Sequence, residues 1–232
     1  MSAIISLTTI PDRIEHIEPC IRSLTAQGFP VYLWAVEKIA RSETRLGTLP
    51  AFLAEAGVHV EVVEDCGPIT KLMPALRAGF ETILTADDDC VYGEGWARHL
   101  LKWARKIPRA AIGYRGRILT GKGYRNSRLV IKSRIKKARS VDIITGVYGV
   151  LYHRRSFDAG IYEEWKRWPM NDDLLIAAHL KRRGVRRYVV PAVVKISDCR
   201  SRTIEPLFKH NTRHELLNDE GLRVLGLERR KR

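Results

Sequence analysis

The fold is decided by residues 80–92, FETILTADDDCVY. The apolar residues up to Ala86 predict a buried strand, and Asp87, Asp88 and Asp89 follow it at once. Three adjacent carboxylates at the end of an apolar strand repel one another, unless a cation neutralises them or one of them stays protonated. Oxygen ligands suit Mg²⁺ or Mn²⁺. The triplet therefore predicts a divalent metal site, with a polar turn that caps the next helix as the alternative.

The residues before this segment alternate between strand and helix patterns. Strands are predicted at 3–7, 31–36, 58–63 and 80–86, and helices at 14–26, 46–56 and 70–79. This order predicts an α/β fold with an open, mostly parallel sheet flanked by helices. Ligands of such sheets bind beyond the carboxyl ends of the strands. The segments 8–13, 65–71 and 87–89 are therefore expected to meet in one crevice.

The second half of the chain has a less regular pattern. Helices are predicted at 94–106, 171–183 and 212–225, strands and loops at 109–139, an apolar run at 141–153, and a strand at 187–191. Neither a repeat nor a linker separates the halves. We expect a single domain in two halves, 1–95 and 96–232.

The two halves also differ in net charge, since the first is acidic and the second is basic. The net charge is +15, yet residues 1–95 contain 7 Lys+Arg and 14 Asp+Glu, whereas residues 96–232 contain 34 and 12. Residues 96–141 carry 15 basic residues and no carboxylate, and the chain ends in Arg-Arg-Lys-Arg. Such a surface attracts polyanions such as nucleic acid, anionic lipid or acidic glycan. A solvated face with a basic tail is the alternative.

Two further segments carry candidate chemistry. Asp172 and Asp173 follow Asn171 and begin a predicted helix. One of them is a candidate general base; the alternative is that both are first-turn carboxylates, which the helix dipole stabilises. Lys71 ends Gly67-Pro-Ile-Thr-Lys, a weak phosphate-binding signal that lacks the Walker pattern. Asp65, just before it, would bind a base or ribose, or cap the turn.

Five segments in order resemble the GT-A glycosyltransferases, specifically family-2-like members of bacterial or viral origin. They are SLTTIPDR at 6–13, DCGPITKLMPAL at 65–76, ILTADDDCVY at 83–92, TGVYGVLY at 145–152 and NDDLLIAAHL at 171–180. The resemblance spans residues 3–190 and implies a GT-A (Rossmann-like) fold. It implies a metal-dependent, hexosyltransferase-type enzyme that uses a nucleotide-sugar, with UDP as the expected nucleotide.

The resemblance also implies a role for individual residues. The donor would be bound by Thr8, Thr9, Arg13, Asp65, Lys71, Asp88, Gly146 and Gly149. Mn²⁺ or Mg²⁺ would be held by Asp87 and Asp89, with His210 or His214 as a further ligand. Asp172 or Asp173 would deprotonate the acceptor hydroxyl, and in-line attack would invert the anomeric configuration.

In such enzymes the first half binds the donor and the second half binds the acceptor, so the basic second half favours a polyanionic acceptor. One candidate is DNA with hydroxymethylated bases, as modified by virus-encoded enzymes. The other is an acidic glycan or a lipid-linked acceptor at an anionic membrane. Two other classes fit the charges: a two-metal nuclease and a non-catalytic nucleic-acid-binding protein. The nuclease would leave segments 8–13 and 67–71 without a role.

Four cysteines without C-x-x-C spacing argue against a zinc ribbon and fit a reduced, cytoplasmic protein. No basic segment precedes the first apolar run, so we expect no secretory signal. Peripheral association with a membrane is compatible with the basic half.

Overall fold

The first half of the chain alternates strands and helices in the predicted order. The computed structural model describes residues 3–39, 44–169, 171–199 and 214–227. The first elements are β1 (Ala3–Thr9), α1 (Glu18–Thr25), β2 (Val31–Val36), α2 (Ala51–Glu55), β3 (His59–Val63), α3 (Met73–Arg77) and β4 (Thr82–Ala86). The α/β fold class is thus confirmed.

The helices of this half are shorter than predicted because prolines set where they begin. Pro19 lies in the first turn of α1, after a separate 3₁₀ turn at Ile14–His16. Pro50 immediately precedes α2, and Pro74 lies in the first turn of α3, after a 3₁₀ turn at Gly67–Lys71. A proline has no N–H to donate to the preceding turn and restricts the residue before it, so an α-helix continues poorly through it towards the N-terminus.

The part of the chain after β4 mixes short strands with four helices among the described residues. Its elements are β5 (Cys90–Tyr92), α4 (Trp96–Lys106), β6 (Ala111–Gly113), β7 (Arg115–Ile118), β8 (Arg128–Ile131), β9 (Arg139–Ser140), β10 (Ile143–Ile144), β11 (Val150–His153), α5 (Gly160–Arg167), α6 (Asp172–Arg182), β12 (Arg187–Val189), β13 (Ile196–Asp198) and α7 (His214–Val224). The predicted α4, α6 and α7 are confirmed to within two residues at each end. The elements β5, α5 and β13 were not predicted.

Eight strands form one mixed sheet in the order β3-β2-β1-β4-β11-β6-β12-β9. The first four strands run parallel, and β11 is antiparallel to both β4 and β6. The register pairs Leu7 with Ala86. The carboxyl ends of β1 and β4 therefore lie side by side, which brings the residues after each of them together.

Helices cover both faces of this sheet. Successive residues of β1 enter opposite layers, because Ile5 packs in the cluster that includes Leu100 of α4, and Ile4 in the cluster that includes Ile176 of α6. This alternation follows from the two-residue repeat of a strand. The two layers hold the sheet rigidly, so that the strand ends can position side chains.

Among the described helices, none combines the length and apolar character that crossing a membrane requires.

Candidate active site

The side chain of Asp88 is buried at the carboxyl ends of β1 and β4. Thr9 Oγ1 donates a hydrogen bond to Asp88 Oδ2 at 2.8 Å, and an Arg13 guanidinium nitrogen donates to Asp88 Oδ1 at 2.9 Å. Burial raises the pKa of Asp88, while Arg13 and Thr9 oppose that rise. Both carboxylate oxygens are thus engaged within the protein. In this arrangement Thr9 and Arg13 fix the aspartate triplet.

Lys71 is the cation at the centre of the site. Its Nζ lies 2.8 Å from Asp87 Oδ1 and 3.8 Å from Asp172 Oδ2, and its side chain is 12% exposed. Burial alone lowers the pKa of Lys71, but Asp87 and Asp172 more than offset this, so the pKa is raised. Lys71 is therefore protonated at neutral pH. It joins two carboxylates that lie 85 positions apart in the sequence.

Three side chains after β4 offer a metal-ligating group. One carboxylate oxygen of Asp87, one of Asp89 and the thiol sulfur of Cys90 all lie within 4.8 Å of one another. The turn is held in place because the Asp87 N–H donates to Tyr92 Oη at 2.7 Å. Two carboxylates fit the hard oxygen donors that Mg²⁺ and Mn²⁺ prefer, and the thiol adds a softer donor. In the described part of the chain, this is the one group of three such ligands.

The N-terminus of α6 faces this group across Lys71. Asn171 caps the helix, since its Oδ1 accepts from the Leu174 N–H at 3.1 Å. Asp173 Oδ1 accepts from the Gly146 N–H at 2.7 Å. Burial, and then the neighbouring Asp172, raise the pKa of Asp173 to about 7, against the opposing effects of Gly146 and Lys71. A carboxylate with a pKa near neutrality is suited to proton transfer.

The loop that holds Gly146 is packed too closely for larger residues. A Cβ on Gly146 would lie 2.9 Å from Lys71 Nζ, and one on Gly149 would lie 2.4 Å from Cζ2 of Trp96. Gly149 also has a φ of +92°, which favours glycine. The loop therefore lies directly on the site, and Trp96 Nε1 anchors it by donating to the Tyr148 carbonyl at 3.0 Å.

Thr9, Arg13 and Asp88, which were predicted to bind the donor, bind one another. Two further predicted residues have partners away from the carboxylates, and a third is not described. Thr8 Oγ1 donates to the carbonyl of Trp34, and Asp65 Oδ1 accepts from the Gly67 N–H at 2.7 Å, which is the turn-capping alternative. His210 lies outside the described residues. The described contacts therefore centre the site on Lys71 and the carboxylates around it.

Two cysteines that sequence reasoning did not assign also contact the triplet. The Cys20 thiol donates to the Asp87 carbonyl at 3.4 Å, and the Cys199 thiol approaches the Asp88 carbonyl at 3.7 Å. Both residues come from elements remote in sequence. Of the thiols at the site, only that of Cys90 could have been found from the sequence, because Cys90 directly follows the three aspartates. All four cysteines of the chain are free thiols.

Comparison with known proteins gives a likeness of fold. No protein-family model and no curated protein sequence matches the chain. The crystal structure of S. aureus TarS matches it with a TM-score of 0.56 at 15% sequence identity. The match covers 98% of this chain, so the shared fold includes both halves, and this chain spans about two fifths of the TarS chain, 39%.

Proposed function

We propose that this chain is a metal-dependent glycosyltransferase that moves a sugar from a nucleotide-sugar, with UDP as the nucleotide, to a hydroxyl of a polyanionic acceptor. The observation that carries the proposal is the Lys71 bridge between Asp87 and Asp172. It brings the aspartates after β4 and those that open α6 into one site at the carboxyl end of the sheet. The resemblance of five segments to GT-A glycosyltransferases supports the reaction class, and the fold is shared with TarS over 98% of this chain.

Asp87 and Asp89 are the residues that would hold the metal, and their carboxylate oxygens fit Mn²⁺ or Mg²⁺. When bound, the metal supplies positive charge next to the diphosphate leaving group. Lys71 would also supply positive charge to the diphosphate, because its protonated amine is held among the carboxylates and is positioned to contact a phosphate oxygen. Without a metal, Cys90 is a neutral thiol, because burial and the charges of Asp87 and Asp89 raise its pKa.

Asp173 is the better-supported base of the two α6 carboxylates. Its pKa near 7 leaves a substantial fraction deprotonated at neutral pH, yet makes it basic enough to accept the acceptor hydroxyl proton. The Gly146 N–H holds its Oδ1 in place. Asp172 lies nearer to Lys71 and would raise the proton affinity of Asp173 by its charge. Attack from the side opposite the diphosphate would invert the anomeric centre.

The two halves would divide the substrates. Residues 1–95 contribute the aspartate triplet and Lys71 and would bind the donor, whereas the basic residues 96–232 would bind the acceptor. DNA with hydroxymethylated bases fits that charge, and the target base would have to leave the stack to reach Asp173. An acidic glycan or a membrane-linked acceptor is the second candidate, with the protein then bound to a membrane surface from the cytoplasm.

Release of UDP from UDP-sugars in the presence of Mn²⁺ tests the reaction class. The double variant Asp87→Asn/Asp89→Asn should lose this release, whereas the matched control Glu94→Gln, an exposed carboxylate outside the metal group, should retain it. Equal turnover by the two variants would contradict the assigned metal site. The NMR-assigned linkage of the product should be opposite in anomeric configuration to the donor.

A two-metal nuclease fits the described geometry less well. It requires two metals about 3.5–4 Å apart, whereas the α6 carboxylates face Lys71 and belong to no second metal group within the described residues. Nicking of plasmid DNA without UDP release would nevertheless replace the transferase proposal by the nuclease.

A further inference from the structure

The outward face of α4 is made of cations. Its four exposed cations are Arg98, Lys102, Arg105 and Lys106. At about 100° per residue these four side chains fall within an arc of about 100°. Trp96, Leu100 and Ala104 lie on the opposite face and are buried against the sheet. The helix therefore presents a continuous basic surface, which we call the α4 face.

No carboxylate neutralises the cations of the α4 face within the described residues, in contrast to Arg22 on α1 and Lys166 on α5. On α1, Arg22 pairs with Glu18 at 2.6 Å, and on α5, Lys166 pairs with Glu163 at 3.0 Å. In the part of the chain that the structure describes, no carboxylate oxygen lies within 4.0 Å of a cation of the α4 face. Their mutual repulsion is therefore not offset by close ion pairs.

His99 and Trp103, on one flank of the α4 face, connect it to the buried Tyr114. Lys106 Nζ lies 5.0 Å from the ring centroid of Trp103, whose Nε1 lies 3.3 Å from Nε2 of His99. His99 Nδ1 lies 2.9 Å from Tyr114 Oη, and Lys132 Nζ lies 5.7 Å from the Tyr114 ring. Burial lowers the pKa of His99, and so do Lys102, Lys132 and Lys106. Lys132 itself is engaged within the protein, because its Nζ donates to the Val194 carbonyl. Among the described residues, the free cations of this region are therefore those of the α4 face.

We propose that the α4 face docks the phosphate backbone of nucleic acid. The cations of the α4 face span residues 98–106, about 12 Å at 1.5 Å per residue, which along the duplex axis corresponds to about three to four phosphates of one DNA strand. The contacts would be independent of base sequence, since cations without neighbouring amide or carboxylate groups recognise phosphate charge. The surface would hold a polymer beside the candidate active site, because Trp96 at the start of α4 contacts the Gly146–Gly149 loop.

The α4 face favours a polymer over a lipid bilayer. A helix that binds a membrane surface inserts apolar side chains below the headgroups. The exposed large apolar residues among those described are Leu49, Val62, Val193 and Val224. None of them is on α4, so the α4 face offers charge without an apolar wedge.

This inference deepens the proposed function, and only the statement that the docked polymer is the acceptor rests on that function. Binding to DNA can be measured without turnover. The probe is a labelled, unmodified DNA duplex, whose affinity is followed by fluorescence anisotropy between about 50 and 200 mM salt.

The test variant is Arg98→Gln/Lys102→Gln/Arg105→Gln/Lys106→Gln. Each lost phosphate contact lowers the slope of log affinity against log salt by about 0.9, so we expect the slope to fall by three to four. The matched control, Arg22→Gln/Arg45→Gln/Arg154→Gln/Lys166→Gln, removes the same charge from cations that the structure pairs with carboxylates. It should change the slope by less than about one. The double variant Lys102→Gln/Arg105→Gln should lower the salt slope by about two. It replaces the fourfold variant if that protein folds poorly.

Three results would overturn the inference. The first is that the unaltered protein does not bind DNA. The second is that the fourfold variant and its control lose equally much of the salt slope. The third is that the test variant loses binding to phosphatidylserine vesicles while its DNA binding is unchanged. UDP-sugar and Mn²⁺ should raise the melting temperature of all these proteins equally. A missing donor response in the unaltered protein would count against the proposed function and leave the DNA result interpretable.

Discussion

The helices α4 and α6 are equally long and both pack on the central sheet, yet their polar residues serve different ends. Asn171 caps α6, and Asp172 and Asp173 follow in its first turn, where carboxylates are favoured. On α4 the cap residue is Gly95, without a side-chain hydrogen bond, and the first turn carries Arg98 and no acid. A cation in that turn is disfavoured by the helix dipole.

The exposed cations of α6 and α4 also differ, because only those of α6 form ion pairs within the described part of the chain. Arg182 and Arg183 at the end of α6 pair with Glu164 and Asp158 respectively. The cations of the α4 face have no such partners in the described structure. The polar residues of α6 therefore stabilise the helix and complete the candidate site within the chain, whereas the exposed cations of α4 form the surface proposed to dock nucleic acid.

The largest expected effect comes from the first turn of α6. Asp173→Asn keeps an oxygen that can accept from the Gly146 N–H but removes the base. We expect turnover to fall by about 10²–10⁴-fold, the usual contribution of general base catalysis. Glu163→Gln, which alters an exposed carboxylate on α5, is the control and should leave turnover unchanged. If Asp173→Asn retained full turnover while Asp172→Asn did not, Asp172 would be the base.

The same variant should change how stability depends on pH. Because the pKa of Asp173 is raised to about 7, the folded state binds a proton more tightly than the unfolded state. The contribution of Asp173 to the free energy of unfolding therefore falls as pH rises from about 4 to 7. Asp173→Asn cannot titrate, so its stability relative to the unaltered protein should grow over that range by up to about 4 kcal/mol. Urea unfolding measured across this pH range checks it, and parallel profiles would contradict the raised pKa.

The contact between α4 and the site loop should be the next most sensitive feature. Gly149→Ala places a Cβ 2.4 Å from Cζ2 of Trp96 and 2.8 Å from the Thr85 carbonyl, at a φ of +92°. We expect a loss of about 3 kcal/mol in unfolding free energy. Gly184→Ala, at a φ of +66° with nothing within 4 Å, should cost only about 1 kcal/mol. Equal losses would show that the backbone angle, and not packing against Trp96, requires Gly149.

Removal of the α6 cap should have a smaller effect. Asn171→Ala loses the bond to the Leu174 N–H and the bond to Asn218 Oδ1, and should cost about 1–2 kcal/mol of unfolding free energy. Asn171→Ser retains a capping oxygen and should recover about half of the loss. No recovery would assign the effect to the Asn218 contact.

The smallest and most diagnostic effect is predicted on α4. Arg98→Glu places an acid in the first turn and four residues before Lys102, so it should raise the unfolding free energy by about 0.5–1 kcal/mol. The same change should weaken DNA binding and reduce its salt dependence, because one phosphate contact is lost and a repulsive charge is added. A variant that is more stable yet binds as before would contradict the role of the α4 face.

Periodicity and capping predicted much of this architecture from the sequence. The strand β2 lies at the predicted residues 31–36, and α6 begins after Asn171 as its capping signal indicates. The pairing of β5 with β13 could not be predicted, because Cys90 meets Asp198 only through the tertiary fold and each strand has three residues. Strands this short leave no clear alternation.

The candidate site was predictable in its charges but not in its contacts. The aspartate triplet and Lys71 follow strand ends, so their convergence could be deduced from the parallel topology. Asp172 and Asp173 open α6 and could be placed at the site only by the resemblance to a known family. The partners of Asp88, by contrast, depend on the side-chain directions of Thr9 and Arg13. The thiols of Cys20 and Cys199 meet the triplet through packing that no local pattern encodes.

The most direct test of the proposed site is a thermal-shift titration with UDP-sugars, with and without Mn²⁺, of the unaltered protein and of Asp87→Asn. Donor at about 100 times its Kd should add about 2.7 kcal/mol to the stability of the unaltered protein when Mn²⁺ is present. This gain should be absent without the metal and in Asp87→Asn. A donor response that is the same with and without Mn²⁺, or that survives in Asp87→Asn, would contradict a metal-dependent donor site at Asp87 and Asp89.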